Sequence, residues 1–167
     1  MVTSLAPSLG TAVLSQSGSL LERVMAYQNP AVPHRFREKL GLDENQASLL
    51  FEDTKRFLYL CGSKRKGDPI LAPPDGVDAG WHEFLLFTED YAQFCFEHFG
   101  RFIHHRPRRP EDPKGDGQIL RDTRALAIAT FVTLSHNWRM DAASCDECNV
   151  NCSYACGGLS TNCQDPS

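Results

Sequence analysis

The chain has 167 residues, of which 41% are hydrophobic and 23% are charged, and this ordinary composition excludes wholesale disorder. Its formal net charge of -4 argues against binding to nucleic acids or anionic membranes through charge alone. The longest mainly apolar stretch, residues 125–134, has about half of the ~20 residues that a membrane-spanning helix needs. Because the first residues lack the pattern of a secretory signal, we predict a cytoplasmic protein. The expected partner is a protein or a small molecule, with no membrane and no nucleic acid.

A loose leader and three helices are predicted in the first part of the chain. Residues 1–18 show no clear periodicity. A capping-box pattern begins a short helix over residues 19–28. The next short helix opens at a proline and covers residues 33–40, because the glycine that follows is a typical C-cap. A longer helix begins at Asp43, and its apolar face recurs at helical spacing through Leu50, Phe51, Thr54, Phe57, Leu58 and Cys61.

The middle of the chain alternates between connections and helical stretches. A basic turn over residues 62–67 leads into residues 68–74, which must be extended because prolines lack a backbone donor. Apolar residues return over residues 76–87. An N-cap at Thr88, followed by two acidic residues, begins a helix that continues to about residue 99. The apolar set of this helix is expected to be Tyr91, Ala92, Cys95, Phe96 and Phe99.

The last predicted helix follows a proline-rich loop at residues 106–117. It runs from about residue 118 to Trp138, and its buried side is expected to carry Ile119, Leu126, Phe131 and Leu134. No segment shows the alternation of a half-buried strand, so we predict a mainly α fold. The organisation is then a small multi-helix domain at residues 19–143 and a cysteine-rich, flexible tail at residues 144–167.

The core of this domain is predicted to be the unit from Trp81 to His105. We expect it to pack against the helices near residues 44–61 and 118–138, because these stretches carry the clearest apolar faces.

Three short patterns in this unit are informative together. They are Asp-x-x-Trp-His at residues 78–82, Thr-x-x-Tyr-x-x-x-Cys at 88–95 and Phe-Gly-x-Phe-x-His-His at 99–105. In this combination the sequence resembles the glycine-rich-domain-containing-protein-like family, a group of largely uncharacterised proteins of bacteria and plants, over roughly residues 45–138. The chain lacks the long glycine-rich segment that names the plant members, so their interaction roles do not carry over. The resemblance supplies no reaction.

The same region holds the residues of a candidate metal site. Asp78 and His82 stand four residues apart, so on a helix both side chains project from one face. The carboxylate can then fix the tautomer of the imidazole, as outer-shell partners of metal-bound histidines commonly do. The pair His104–His105 follows a helix end and a turn and could return to the same place, with Cys95 as a further candidate. This donor set suits zinc or another divalent metal that prefers imidazole.

Two other interpretations of these residues stay open. In the first, His82 packs as a core histidine whose N–H is accepted by Asp78, and Cys95 is a small buried hydrophobe. In the second, the residues form the centre of a metal-dependent enzyme: His82 and one member of the His104–His105 pair hold the metal, and Asp78 orients His82. No phosphate loop, dinucleotide fingerprint or nucleophile elbow identifies a reaction.

Cysteines are concentrated at the C-terminal end, where the sequence has neither lysine nor arginine after residue 143. The cysteines of this segment are Cys145, Cys148, Cys152, Cys156 and Cys163. We predict that the first four act together, as thiolates on a metal or as sites of covalent modification, although only one Cys-x2-Cys knuckle is present. A disordered, weakly metal-binding terminus and the modifiable part of a ribosomally made peptide precursor are the alternatives.

The sequence therefore predicts a helical binding or interaction module with a candidate divalent-metal site at His82. Whether the protein is an enzyme stays open at this stage. The alternatives are the metal-dependent enzyme described above and a peptide precursor whose folded leader carries the modifiable cysteine segment.

Overall fold

The structure, a computed structural model, describes residues 18–106 and 117–139. These residues form six α-helices and a short 3₁₀ helix, with no strand among them, which confirms the predicted mainly α fold. In chain order the elements are α1 (Leu20–Ala26), α2 (Ala31–Leu40), α3 (Glu44–Ser63), α4 (Asp75–Leu85), α5 (Thr88–Phe99), α6 (Gln118–Phe131) and η1 (His136–Trp138). The predicted leader, most of the proline-rich loop and the whole cysteine segment lie outside the described residues, so the domain boundaries at 18 and 143 stay predictions.

Local capping explains where most of the helices begin and end. Ser19 and Glu22 form a reciprocal capping box at α1, and Asp43 forms the same motif with Gln46 at α3. The predicted start of α2 at Pro33 is wrong by two residues. That helix begins at Ala31 because the Asn29 side chain accepts a hydrogen bond from the Ala31 backbone N–H at 3.1 Å. Two further ends differ slightly: α1 stops at Ala26, and Thr88 is the first residue of α5 rather than its cap.

The central helix is α3, which contacts every other element. Its buried side carries aromatic and aliphatic residues that meet α4, α5 and η1, as in the pairs Phe51–Phe84 and Phe57–Trp138. The buried Lys55 of α3 donates hydrogen bonds from Nζ to the carbonyl oxygens of Met25 (2.8 Å) and Tyr27 (3.0 Å) at the end of α1. Burial lowers the pKa of Lys55. The packing of the 81–105 unit on α3 is as predicted.

A glycine sets the close approach of α4 to α3. A Cβ atom on Gly80 would lie 2.5 Å from Thr54 Oγ1 and 3.0 Å from Leu50 Cγ. Both neighbours are buried, and the Thr54 hydroxyl donates a hydrogen bond to the Leu50 carbonyl at 2.8 Å. Only glycine therefore allows the two helices to pack at this distance, which fixes the position of the α4 face that carries Asp78 and His82.

The helix at the C-terminal end of the domain differs from its prediction in length and in face. It ends at Phe131 rather than Trp138, because Val132 adopts a positive φ of 65° that interrupts the helix. The chain then turns, and Ser135 caps η1. Trp138 is only 1% exposed and lies in the core.

The predicted buried face of α6 is also wrong at Leu126, which is 42% exposed. The buried residues are Leu120, Thr123 and Ala127. A search for apolar residues misses this face because its central residue is polar: the Thr123 hydroxyl accepts a hydrogen bond from the Ala72 backbone N–H at 3.0 Å. In α5, likewise, Phe96 is 58% exposed and Phe94 takes the buried position, where it packs on Tyr27 and Phe84.

Within residues 18–106 and 117–139, no helix combines the length and the apolar character needed to cross a membrane.

Candidate metal site

Asp78 and His82 lie on the partly exposed face of α4, one helical turn apart. His82 Nδ1 is 3.2 Å from Asp78 Oδ2 and 3.0 Å from the Asp78 backbone carbonyl oxygen. The His82 side chain keeps 53% of its surface exposed, whereas that of Asp78 keeps 33%. The spacing of four residues thus brings the two side chains together, as predicted.

A buried hydrogen-bond chain brings the segment after α5 back to α4. Trp81 Nε1 donates to the Tyr91 hydroxyl at 2.9 Å, and that hydroxyl donates to the Ile103 carbonyl oxygen at 2.6 Å. Trp81 and Tyr91 are almost fully buried, so each polar group finds its partner within the fold. Burial also raises the pKa of Tyr91, which keeps the hydroxyl in the protonated form that can donate. Position 103 is therefore fixed relative to α4.

The Cys95 thiol lies in the core and outside the metal site. It lies one helical turn after Tyr91 on α5 and is fully buried. Burial raises the pKa of the thiol. A protonated thiol is a poor metal ligand and a poor nucleophile, and Cys95 is outside the group of converging ligand atoms on α4. Tyr91 and Cys95 thus share the buried face of α5, and the Tyr91 hydroxyl holds Ile103.

His105 completes a three-residue cluster because it follows Ile103 by two positions. Its Nε2 atom is 2.9 Å from Asp78 Oδ1, and its ring lies 4.3 Å from the His82 ring and 4.4 Å from the Trp81 ring, measured between centroids. The side chain is only 15% exposed. His104, by contrast, is exposed and its ring packs on Phe102 at 4.9 Å, so one member of the predicted pair reaches the site and the other does not.

The ligand atoms of Asp78, His82 and His105 all lie within 4.8 Å of one another. Two imidazoles and a carboxylate form a donor set that zinc and other imidazole-preferring divalent metals accept. The carboxylate contacts both rings, one through each oxygen, whereas the sequence suggested that Asp78 orients His82 alone. The same contacts equally describe two imidazole N–H groups donating to one carboxylate, so the geometry admits both a metal-bound and a proton-bound form.

Sequence reasoning found all three members of the cluster but missed what assembles it. The chain from Trp81 through Tyr91 to Ile103 was not predicted, although the spacing of Tyr91 and Cys95 was a signal that both face the same element. The predicted tail ligands Cys145, Cys148, Cys152 and Cys156 lie outside the described residues, so their grouping stays a prediction.

Comparison with known proteins adds a family but no function. The family model described as UCP032817-like matches residues 22–121, which is more than half of the chain and includes the whole cluster. Neither the curated proteins nor the solved structures contain a match. The resemblance to the glycine-rich-domain-containing-protein-like family is not tested by these comparisons and stays a prediction. Because the family model matches more than half of the chain, the chain belongs to the UCP032817-like family.

Proposed function

We propose that the protein is a helical binding module that holds a divalent transition metal, zinc in the first place, through Asp78, His82 and His105. The observation that supports this most is the convergence of the ligand atoms of these three residues within 4.8 Å, at the partly exposed surface of α4. Asp78 and His82 are held by consecutive turns of α4, and His105 is held by the docked segment after α5. Such preorganisation reduces the cost of ordering the ligands upon binding.

Metal binding at this place requires that the imidazole nitrogens facing Asp78 carry no proton and that the three side chains move closer together. His82 Nδ1 and His105 Nε2 both face the Asp78 carboxylate, at 3.2 and 2.9 Å. A metal that entered between them would replace the imidazole protons as the positive partner of the carboxylate, since imidazole binds metals in its neutral form. Asp78 would then be a ligand itself, in addition to orienting His82.

Three protein ligands leave at least one coordination position open. Structural zinc sites are usually closed by four protein ligands, whereas catalytic ones keep three and a water. The His82 side chain is half exposed, so solvent has access to the cluster and water would be available to fill the open position. On this observation, the metal-dependent enzyme is the second candidate function, with metal-bound water as its nucleophile or general base. The proposal includes the cytoplasmic location predicted from the sequence, where thiols stay reduced.

The decisive experiment measures zinc binding to the full-length chain in which the five cysteines of residues 144–167 are replaced by serine. This background removes competing thiolates while it keeps every described residue. Isothermal titration calorimetry should give about one zinc per chain, and His82→Ala should weaken binding by at least about tenfold, in the range found for disrupted metal sites. His104→Ala is the matched control, because it removes a neighbouring exposed imidazole outside the cluster. Equal zinc affinity in both variants, or no zinc binding at all, would overturn the proposal.

A further inference from the structure

The cluster on α4 has an exposed apolar side chain beside it. We propose that the open coordination position takes a small aliphatic acid, whose carboxylate binds the metal and whose chain packs on Leu86. This inference deepens the proposed function and rests on it, because it needs a metal held by Asp78, His82 and His105.

Leu86 lies one helical turn beyond His82 on the same face of α4. It follows His82 by four residues, and its backbone keeps helical dihedral angles, with a φ of -71° and a ψ of -17°. Because side chains on a helix lean toward its N-terminus, the Leu86 side chain is directed toward the turn that carries His82. Side chains at this spacing have Cβ atoms about 5–6 Å apart, a distance that a short ligand spans.

The exposure of Leu86 is specific to this residue. Leu86 is 61% exposed, whereas its neighbours Leu85 and Phe87 pack against the core. The turn is held by the Phe87 backbone N–H, which donates to the carbonyl oxygen of the fully buried Phe84 at 3.0 Å. Leu86 is thus an apolar surface in a fixed position, and a ligand that covers it gains a hydrophobic contact without ordering a loop.

The opposite direction along α4 is acidic. Asp75 is exposed in the first turn of the helix, three residues before Asp78. Its carboxylate repels an anion and gives an aliphatic chain nothing to pack on. On the core side of the cluster, the His105 ring already packs against Trp81. Along α4, the apolar part of a ligand therefore finds its contact in the turn after His82.

The charge of the cluster favours an anionic head group. A divalent metal on two neutral imidazoles and one carboxylate retains one positive charge, which the carboxylate of the ligand neutralises. Binding is a ligand exchange: an oxygen of the acid, which is ionised at neutral pH, binds the metal, and a metal-bound water leaves. No electron is transferred. The ligand class is therefore a singly charged acid with a short aliphatic chain.

Straight-chain hydroxamates are the probes, since they bind metals through oxygen as carboxylates do, but more tightly. Acetohydroxamate and hexanohydroxamate are titrated by calorimetry into the zinc-loaded full-length chain in which the five cysteines of residues 144–167 are replaced by serine. The longer probe has four more methylene groups, and a fully buried methylene contributes about fourfold in affinity. Since Leu86 covers only part of the chain, we expect hexanohydroxamate to bind about tenfold more tightly than acetohydroxamate.

Two leucine variants test where the chain of the ligand packs. Leu86→Ser removes the apolar contact and should lower the affinity ratio of the two probes to less than about threefold. Leu126→Ser is the matched control, because it removes an exposed leucine on α6, and it should keep the ratio of the parent protein. A ratio that Leu86→Ser leaves unchanged would overturn the inference, as would hydroxamate binding that is equally tight without zinc.

The same titrations separate failure of this inference from failure of the proposed function. Zinc is titrated first, into the parent protein and into His82→Ala. Zinc that binds in a His82-dependent way, followed by hydroxamates that do not bind or that bind without preference for the longer chain, would overturn the inference and leave the proposed function intact. Failure of zinc to bind would overturn both.

Discussion

Two aspartates connect helices to later segments of the chain, and they do so in different ways. Asp53 of α3 is fully buried, and its carboxylate accepts hydrogen bonds from Arg56 at 3.0 Å, from Asn137 at 2.9 Å and from the Ser135 hydroxyl. Asp78 of α4 keeps 33% of its side-chain surface exposed and contacts two imidazoles, one through each carboxylate oxygen. Both carboxylates bring distant parts of the sequence together.

The chemistry of the partners distinguishes the two sites. Guanidinium, amide and hydroxyl donors keep their protons at physiological pH, so the contacts of Asp53 are permanent and serve the fold. Imidazoles lose their protons in that range and can bind a metal instead. Asp53, which the fold needs, is therefore surrounded by donors that keep their protons. Asp78 has partners that can exchange a proton for a metal, and it is open to solvent.

The largest expected effect tests the structural half of this comparison. Asp53→Ala leaves the Arg56 guanidinium, the Ser135 hydroxyl and the Asn137 amide without their common acceptor. Breaking a buried network of this kind costs about 3–5 kcal/mol of unfolding free energy, measured by urea denaturation. Asp78→Ala is the control and should cost less, because Asp78 keeps 33% and its partner His82 keeps 53% of the side-chain surface exposed. Equal losses in the two variants would contradict the distinction.

The next effect concerns the packing that places both carboxylates. Gly80→Ala puts a Cβ atom 2.5 Å from Thr54 Oγ1, and overpacking of this kind typically costs about 1–3 kcal/mol. This outweighs the gain of up to about 1 kcal/mol that alanine gives within a helix. Urea denaturation should show a smaller loss for Gly80→Ala in a Thr54→Ala background, since the two positions couple. Additive losses would mean that α3 and α4 do not meet through this pair.

A third variant acts on the device that positions His105. Tyr91→Phe leaves the Trp81 N–H and the Ile103 carbonyl without a partner, and each lost buried partner costs about 1–3 kcal/mol. Since the segment after α5 is then held less firmly, zinc affinity in the background that lacks the five cysteines of residues 144–167 should also fall, by about tenfold. The control is Tyr59→Phe on α3, at a ring that packs on Phe131 away from the cluster. Calorimetry that shows unchanged zinc affinity in Tyr91→Phe would remove the link between the hydrogen-bond chain and the site.

The smallest expected effect is a pH dependence of the unfolding free energy. It arises from a thiol of the core and from neither carboxylate. Burial raises the pKa of Cys61 from 9.0 to about 12. The thiol ionises in the unfolded chain before it ionises in the folded one, so its contribution to stability is complete below pH 9 and is lost as the pH rises toward 12. We expect Cys61→Ala to reduce the alkaline loss of unfolding free energy between pH 9 and 10 by about 1 kcal/mol. Identical alkaline profiles of the two proteins would contradict this origin.

The sequence could predict those features that depend on interactions between residues close together in the chain. Caps act within one turn, so Ser19, Asp43 and the left-handed glycines at positions 41 and 100 were sufficient to place helix ends. The contact of Asp78 with His82 is of the same short range. The other features of the fold depend on contacts between residues far apart in the chain.

Two errors show where this local reasoning stops. Thr123 is buried where it binds Ala72, which lies 51 residues earlier, and the segment after α6 is held by the contact of Ser135 with Asp53, 82 positions away. At the site, His105 rather than His104 reaches the cluster because Tyr91 holds Ile103. The periodicity of the sequence does not reveal this contact. Helix existence was thus predictable, while the rotation of helices and the register of connecting segments were not.

The central claim is that Asp78, His82 and His105 hold a metal together. X-ray absorption spectroscopy at the zinc edge, on the full-length variant that lacks the five cysteines of residues 144–167 and carries one equivalent of zinc, observes the ligands directly. The account predicts a shell of nitrogen and oxygen atoms at about 2.0–2.1 Å with the outer scattering of two imidazoles. His82→Ala should leave the signal of one imidazole, and His104→Ala should leave both. A shell without imidazole scattering, or a spectrum that His82→Ala does not change, would contradict the account.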